Sequence, residues 1–484
     1  MDKGKDSVDR VSRPLVVDLD GTLTPVDTLH EAALRYFRAA PLAAPLHMLG
    51  WLRAGKPVLK RELAHATPLD PATLPYDDTV LAAIRAARAD GRRVVLCTAS
   101  DRASAEAIAA HLGLFDEVMA SDGRVNLAGP DKASALVERF GTRGFDYIGN
   151  SSADLAVWAE AQRALVINAP EALAREAEDR APEIERMAGR QAGLRDWLRA
   201  ARLHQWVKNL LIFVPVLAAH RYDEPALLAQ MLLAFLAFGL LSSATYFLND
   251  LLDLEADRAH AAKRHRPFAS GRIPAAQAAL VTPLMFLGAL ALAALNGAGF
   301  VLTALIYLAV STLYSVQLKQ VPLLDCMLLA GLFTLRVIAG AVAMDQGLSY
   351  WLLLFSVFLF LSLAYLKRYV ELAQSRPKGE LKGRRYRSED VPIVMGLGLG
   401  AGYAATVVLG LYIHSDAAID LYGNRYFVSF SLPVLIYWVS WMWMQASRGE
   451  MHHDPLLHAV RSRHSQITGA LFLAIFFAAS HVPG

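Results

Sequence analysis

At 484 residues the chain is longer than one ordinary domain, and 55% of it is hydrophobic, which points away from an all-soluble protein and towards a membrane. A net charge of +3, from 48 basic and 45 acidic residues, leaves no broad basic surface, so nucleic acid is not an expected partner. Cys97 and Cys326, the two cysteines, stand far apart and exclude a disulfide framework, which suits a reducing compartment.

The apolar residues are unevenly spread. Residues 1–200 read as soluble α/β protein, whereas most of 206–482 is long apolar runs, so a boundary is expected near residue 200. The first residues, MDKGKDSVDRVSR, are polar and lack the apolar core of a signal peptide, which places the soluble part in the cytoplasm.

Leu15-Val16-Val17 predicts a buried strand that hands over to Asp18-Leu19-Asp20-Gly21-Thr22 at its carboxyl end, where open α/β sheets build their sites. A second strand, Arg93 to Cys97, runs into Thr98-Ala99-Ser100. A third, Asp146-Tyr147-Ile148, runs into Gly149-Asn150-Ser151-Ser152-Ala153-Asp154, and Lys132 stands between the second and third. Taken alone, Asp-Leu-Asp-Gly-Thr is an ordinary strand-to-turn sequence. In this order, however, the residues resemble the four motifs of the haloacid dehalogenase superfamily, mostly phosphatases, over residues 12–170.

That resemblance implies a Rossmann-like α/β fold, with the helix-forming stretch 25–80 as a small helical cap. It implies Asp18 as nucleophile and Asp20 as general acid and base. Thr98, Lys132 and a Mg²⁺ held by Asp18, Asp20, Asn150 and Asp154 would offset the charges gathered there. The fourth motif ordinarily has Asp after its glycine. Asn150 brings no charge, so weaker metal affinity, or a phosphatase fold kept only as scaffold, follows from this departure.

Residues 171–205 read as a linker. From Leu194 onward, Leu194, Trp197, Leu198 and Ala201 recur at helical spacing beside Arg195, Arg199 and Arg202, a pattern that suits an interfacial amphipathic helix or one packed on protein.

Residues 206–482 predict an all-α polytopic membrane domain of about nine spans, near 207–219, 226–248, 275–295, 297–318, 322–344, 349–366, 392–414, 427–446 and 466–482. Lys and Arg concentrate in 249–274, 319–321, 367–391 and 447–465, which puts those loops on the cytoplasmic face of a bacterial inner membrane.

The loop at 249–274 is the most informative. Asp250, Asp253 and Asp257 recur at i, i+3 and i+7, which would set three carboxylates on one helix face at a membrane boundary. Such crowding calls for a divalent cation, and Mg²⁺ completes its shell with water and phosphate oxygens. Asn249, Lys263, Arg264 and Arg266 then suit the rest of a pyrophosphate. The stretch Asn249 to Asp257 resembles the first aspartate motif of the UbiA-type intramembrane prenyltransferase superfamily, over about residues 200–480. Gln205 to Asn209, Tyr314-Ser315 with Lys319 and Asp325, Arg336 to Gly340, and Lys367 to Leu372 resemble the branch that contains decaprenyl-phosphate phosphoribosyltransferase.

The resemblance implies a transferase that joins a polyprenyl phosphate to phosphoribosyl pyrophosphate, with Lys208, Asn249, Lys263, Arg264, Arg266, Tyr314, Lys319, Asp325, Arg336, Lys367 and Arg368 as substrate-binding residues. Basic residues at span ends also anchor helices to headgroups, and buried charges also pair with each other. The fused phosphatase-type domain would then remove the 5-phosphate in a cell-envelope pathway. Two alternatives stand beside this reading: an aromatic prenyltransferase using a prenyl diphosphate, and a non-catalytic lipid-phosphate carrier. A homo-oligomer is compatible with either.

Overall fold

The structure, a computed structural model, describes residues 13–122, 125–189, 192–375, 385–422, 424–451 and 454–481. Part of the basic loop expected at 367–391, residues 376–384, lies outside these. The chain forms two compact units, residues 1–201 with 246–282, and residues 202–245 with 283–484.

In the first unit, six parallel strands form one sheet in the order β3-β2-β1-β4-β5-β6. The strands are β1 (Leu15–Val17), β2 (Val94–Asp101), β3 (Glu117–Ser121), β4 (Asp146–Gly149), β5 (Arg163–Val166) and β6 (Glu183–Arg186). Continuous apolar runs such as Leu15-Val16-Val17 suit strands covered on both faces. Their alternation sorts two cores: Leu15, Val17, Leu96 and Ile148 face one side, and Val16, Val95, Cys97 and Tyr147 face the other.

Three helices, α1 (Thr28–Ala39), α2 (Ala44–Arg53) and α3 (Lys56–Ala66), occupy the stretch expected to be a helical cap. Asp27 caps α1 by accepting from the His30 N–H at 3.1 Å. The crossover helices are α4 (Asp78–Ala89), α5 (Arg102–Leu112), α6 (Pro130–Phe140), α7 (Leu155–Glu160) and α8 (Glu171–Glu178). Pro130 opens α6, a position where its missing N–H costs nothing.

The sheet does not end at residue 170. Strand β6 pairs with β5 from Arg163↔Glu183 to Val166↔Arg186. Its sequence, Glu-Ile-Glu-Arg, lacks an apolar run because it is an edge strand. The helix expected from Leu194 is α9 (Leu194–Ala200), and Trp197 packs on Phe247 at 6.1 Å between ring centroids. The protein-packed alternative therefore describes that tryptophan.

The first unit also takes in the aspartate-rich segment. Helix α10 (Pro225–Leu252) ends there, and α11 (Leu254–Ala259) follows after one residue. The single helical face expected for Asp250, Asp253 and Asp257 is thus interrupted: Asp253 leaves the helix with φ −101° and ψ 13° and becomes the residue before α11.

Further helices include α12 (Ala275–Ala294), α13 (Ala298–Val316), α14 (Leu324–Ala343), α15 (Tyr350–Ser375), α16 (Val391–Ile413), α17 (Ser431–Ser447), α18 (Pro455–Arg461) and α19 (Arg463–His481). Among the described residues, seven helices are long and apolar enough to span a membrane: α10 and α12 to α17, the last counted from Tyr426. Two of the nine expected spans are not of this kind. The first, 207–219, is a 3₁₀ segment (Leu203–Phe213) and a short helix (Val214–Ala218) with Pro215 in its first turn. The last, α19, opens on the polar run Arg463-His464-Ser465-Gln466.

Small residues bring the spanning helices together, as lipid-embedded packing requires. At Gly398 of α16 a Cβ would lie 2.2 Å from the Trp443 ring of α17.

The β4 side of the sheet rests on Phe145, which is fully buried. Phe145→Ala should cost about 3–5 kcal/mol of stability in the first unit. Pulse proteolysis in urea measures this, with cleavage sites mapped to residues 13–189.

Candidate active sites

The order of the sheet reverses between β1 and β4, since β2 and β3 lie on one side of β1 and β4 to β6 on the other. In open α/β sheets the crevice beyond the strand ends at this point is where ligands bind. Asp18 leaves the end of β1, Asn150 the end of β4, and Thr98 lies in β2.

The side chains form a connected chain of charge. Lys132, buried in the first turn of α6, puts its Nζ 2.7 Å from Asp18 Oδ1 and 2.8 Å from the Tyr147 hydroxyl. That hydroxyl donates to Asp154 Oδ1 at 2.7 Å, and Lys132 stands 3.7 Å from the same carboxylate. Asp154 Oδ2 accepts from the Asn150 and Ser151 N–H groups and from the Ser151 hydroxyl. One ammonium thus bridges two buried carboxylates.

Burial pushes the Asp18 carboxyl up to about 7, against the pull of Lys132. Burial alone would lower the Lys132 ammonium, but Asp18 and Asp154 outweigh it and hold it well above its usual range. Asp20 is also raised, by burial first and by the charge of Asp27 second. Its carboxylate accepts from the Thr28 N–H at 2.7 Å and from the Ser100 hydroxyl.

Thr98 Oγ1 accepts from the Ser100 N–H at 3.0 Å. Asn150 packs so tightly on Gly21 that a Cβ at that glycine, φ +75°, would fall 2.0 Å from the Asn150 amide nitrogen. Its Oδ1 accepts from the Thr22 hydroxyl at 3.3 Å.

In the aspartate-rich segment, Arg266 Nη1 sits 3.0 Å from Asp250 Oδ1 and 2.6 Å from Asp257 Oδ2, so two buried carboxylates share one guanidinium nitrogen. Lys263 stands 3.8 Å from Asp257, and Arg264 is exposed. Asn249 and Asp253 are half-buried on either side of the end of α10. Among the described residues, no group of three or more His, Cys, Asp or Glu side chains is gathered as for a metal.

In one cluster of the second unit, cations outnumber carboxylates. Lys208 Nζ and Lys367 Nζ both reach Asp454 Oδ2, at 2.8 and 3.3 Å, so two ammoniums share one carboxylate oxygen. Burial would raise the Asp454 carboxyl, but Lys367 and Lys208 outweigh it and hold it well below the usual carboxylate range. Asp454 Oδ1 caps α18 through the Leu456 N–H.

A third cation is close at hand. Phe333 lies 5.7 Å from Lys208 Nζ and 5.6 Å from the Arg336 guanidinium, which donates to Asn209, Leu332 and Tyr307. Arg368 is different: it is fully buried on Asp325 at 2.5 Å and on Glu371, and Asp325 also accepts from Tyr386 at 2.7 Å. Tyr314 and Lys319 are half-buried at and just past the end of α13. A cavity of about 510 Å³ lies in this unit, lined by side chains such as Pro215, Leu217, Trp351, Phe355, Leu409 and Phe476.

Sequence reading missed Tyr147, Ser100 and Asp454. Tyr147 looked like one more apolar strand residue, and Ser100 a turn residue. Asp454 carried a legible signal, Asp-Pro at a helix start, inside a loop read only for its basic residues.

The UbiA prenyltransferase family matches residues 210–458, and the family of haloacid dehalogenase-like hydrolases matches residues 15–158. An uncharacterized protein of Sinorhizobium fredii, y4nM, is 38% identical over 96% of this chain and 91% of its own length. The nodulation protein NoeC of Azorhizobium caulinodans is 37% identical over 54% of this chain and 86% of its own. The decaprenyl-phosphate phosphoribosyltransferase of Mycobacterium tuberculosis is 30% identical over 58% of this chain and 93% of its own. These matches, with the apolar helices and the parallel sheet, establish an integral membrane protein that belongs to the UbiA prenyltransferase family and carries a haloacid dehalogenase-like hydrolase domain at its N-terminus.

Proposed function

We propose that this protein transfers a 5-phosphoribosyl group from phosphoribosyl pyrophosphate to a polyprenyl phosphate, and that its N-terminal domain then removes the 5-phosphate to leave polyprenyl phosphoryl ribose. The observation that carries the reading is the pair of ammoniums, Lys208 and Lys367, that share one oxygen of Asp454 and so invite an anion such as a lipid phosphate. Asp250 and Asp257, gathered on Arg266 with Lys263 beside Asp257, supply carboxylate oxygens and cations together, as a metal-bound pyrophosphate requires. The apolar cavity suits a polyprenyl chain, and the relative from M. tuberculosis bears the name of this activity.

Asp250 and Asp257 supply hard carboxylate oxygens, as do Asp18 and Asp154 beside the Asn150 carbonyl. Both sets fit Mg²⁺, which takes one or two carboxylates and fills its shell with water and phosphate oxygens. When bound, Mg²⁺ supplies positive charge that offsets the carboxylates and the substrate phosphates. Lys263, Arg264 and Arg266 supply the remaining cations for the pyrophosphate. Lys208, Lys367 and Arg336 hold the lipid phosphate.

A phosphate oxygen of the lipid attacks the anomeric carbon, and the bond from that carbon to the pyrophosphate oxygen breaks with its electron pair leaving on pyrophosphate. The acceptor is already anionic, so no general base is needed. In the second step the Asp18 carboxylate attacks the 5-phosphate phosphorus, and Asp20 protonates the departing ribose oxygen. Asp20, raised by burial, is suited to carry that proton. Water then releases phosphate from Asp18. Both steps belong at the cytoplasmic face of a bacterial cytoplasmic membrane.

Mass spectrometry of the lipid product formed from phosphoribosyl pyrophosphate tests both steps. The intact protein should give the ribosylated lipid, and Asp18→Asn should accumulate its 5-phosphate. Labelled lipid formed only from a prenyl diphosphate and an aromatic acid would sink the reading in favour of aromatic prenylation.

Lys208→Met should raise the KM for the lipid phosphate about tenfold or more, with the KM for phosphoribosyl pyrophosphate changed far less, since one cation of the anion site is lost. Steady-state kinetics with each substrate varied in turn separates the two. Asn150→Asp keeps the acceptor for Thr22 and adds a negative charge. It should lower the Mg²⁺ concentration for half-maximal phosphate release about tenfold, as read by titrating Mg²⁺ back after chelation.

A further inference from the structure

Helix α1 carries one continuous stripe of polar contacts that reaches two regions far apart in sequence. In its first turn, the Thr28 N–H binds Asp20 at 2.7 Å, and the Thr28 hydroxyl pairs with Ser100. One turn on, Glu31 accepts from both terminal nitrogens of Arg258, at 2.8 and 2.9 Å. The side chains of this pair are 2% and 3% exposed. Arg35 then meets Glu255 at 2.5 Å, and Arg38 donates to the Leu252 carbonyl at 2.8 Å. Positions 28, 31, 35 and 38 lie on one helical face, and their partners at 252, 255 and 258 recur at three-residue spacing.

The strand-to-helix connection before α1 is seated on the same region. At Gly271, φ +71°, a Cβ would lie 2.8 Å from Pro25 Cγ and 3.0 Å from Val26 Cγ1. On its other side α1 meets a small apolar cluster whose buried members are Ala32, Leu59 and Leu63. The polar stripe therefore supplies much of what orients the helix. A buried bidentate pair holds both backbones firmly, because breaking it strands a charge away from water.

We propose that Glu31 and Arg258 are positioning residues for the phosphatase step: they seat α1 on the aspartate-rich segment and so hold the Thr28 N–H, and Ser100 beside it, on Asp20. The kinetic consequence rests on the phosphatase reading above. The seat itself does not. The hydrolytic site is then complete only with residues 252–271, which the sequence assigns to the membrane half.

The experiment uses the full-length protein in detergent, with p-nitrophenyl phosphate and Mg²⁺. Glu31→Gln and Arg258→Gln should each lower kcat about tenfold while KM changes less than about twofold, because Asp20 and not substrate binding is misplaced. Glu31→Arg combined with Arg258→Glu should recover a large part of that loss. Arg61→Gln, at an exposed ion pair of the cap, should leave kcat unchanged. Single variants that match the wild type in kcat, or a reversed pair that recovers nothing, overturn the proposal.

Hydrogen exchange on the same samples tests the seat without any turnover. Amides of Thr28–Ala39 should exchange about tenfold faster in either single variant, and unchanged exchange overturns the proposal. A wild type that hydrolyses no phosphomonoester, yet shows this exchange effect, refutes the phosphatase reading alone and leaves the seat standing.

Discussion

Taking a carboxylate out of water costs several kcal/mol unless a cation or strong donors are set against it, and that constraint organises both units of this protein. Asp18 and Asp154 are buried because Lys132 and Tyr147 stand between them. Glu31 is buried because Arg258 meets it with two nitrogens, and Asp325 because Arg368 pairs with it and the Tyr386 hydroxyl donates to it. Asp250 and Asp257 likewise share one nitrogen of Arg266, with Lys263 beside Asp257. One cluster has the opposite sense: Lys208 and Lys367 share one oxygen of Asp454, an excess of positive charge that suits an anion.

The sheet explains why the first of these clusters forms where it does. Strands β1 and β4 are neighbours whose crossovers leave in opposite directions, so the loops that follow them open a crevice. Asp18 and Asn150 leave from those two strand ends. Gly21 makes room for Asn150, and Asp154 folds back on the N–H groups of Asn150 and Ser151. The crevice is a consequence of topology, and its charge a consequence of which residues occupy two loops.

The two families matched along the chain do not coincide with its compact units. Residues 246–282 fall inside the UbiA match yet pack with the α/β sheet and its cap. Helix α1 is the reason, since its stripe from Thr28 to Arg38 faces Asp20 at one end and residues 252–258 along the rest. A short segment of one sequence family is folded into the unit of the other.

The sequence by itself determined three of the six strands, β1, β2 and β4, with the motifs that follow them, and the position of the membrane half, because continuous apolar runs and short acidic motifs are local patterns. It also picked out Lys208, Lys367 and Arg266 as candidate phosphate ligands. Of its nine expected spans, seven match helices long and apolar enough to cross a membrane among the described residues, since length and apolarity do not reveal that 203–218 combines 3₁₀ geometry with Pro215. Its three-carboxylate face failed at Asp253, where the helix ends. Only the tertiary structure decided that Tyr147 joins Lys132 to Asp154, that Asp454 serves two lysines, and that Arg258 belongs to Glu31. Each of these joins residues far apart in the chain, and the partner of a buried charge is chosen by packing, which a local pattern does not encode.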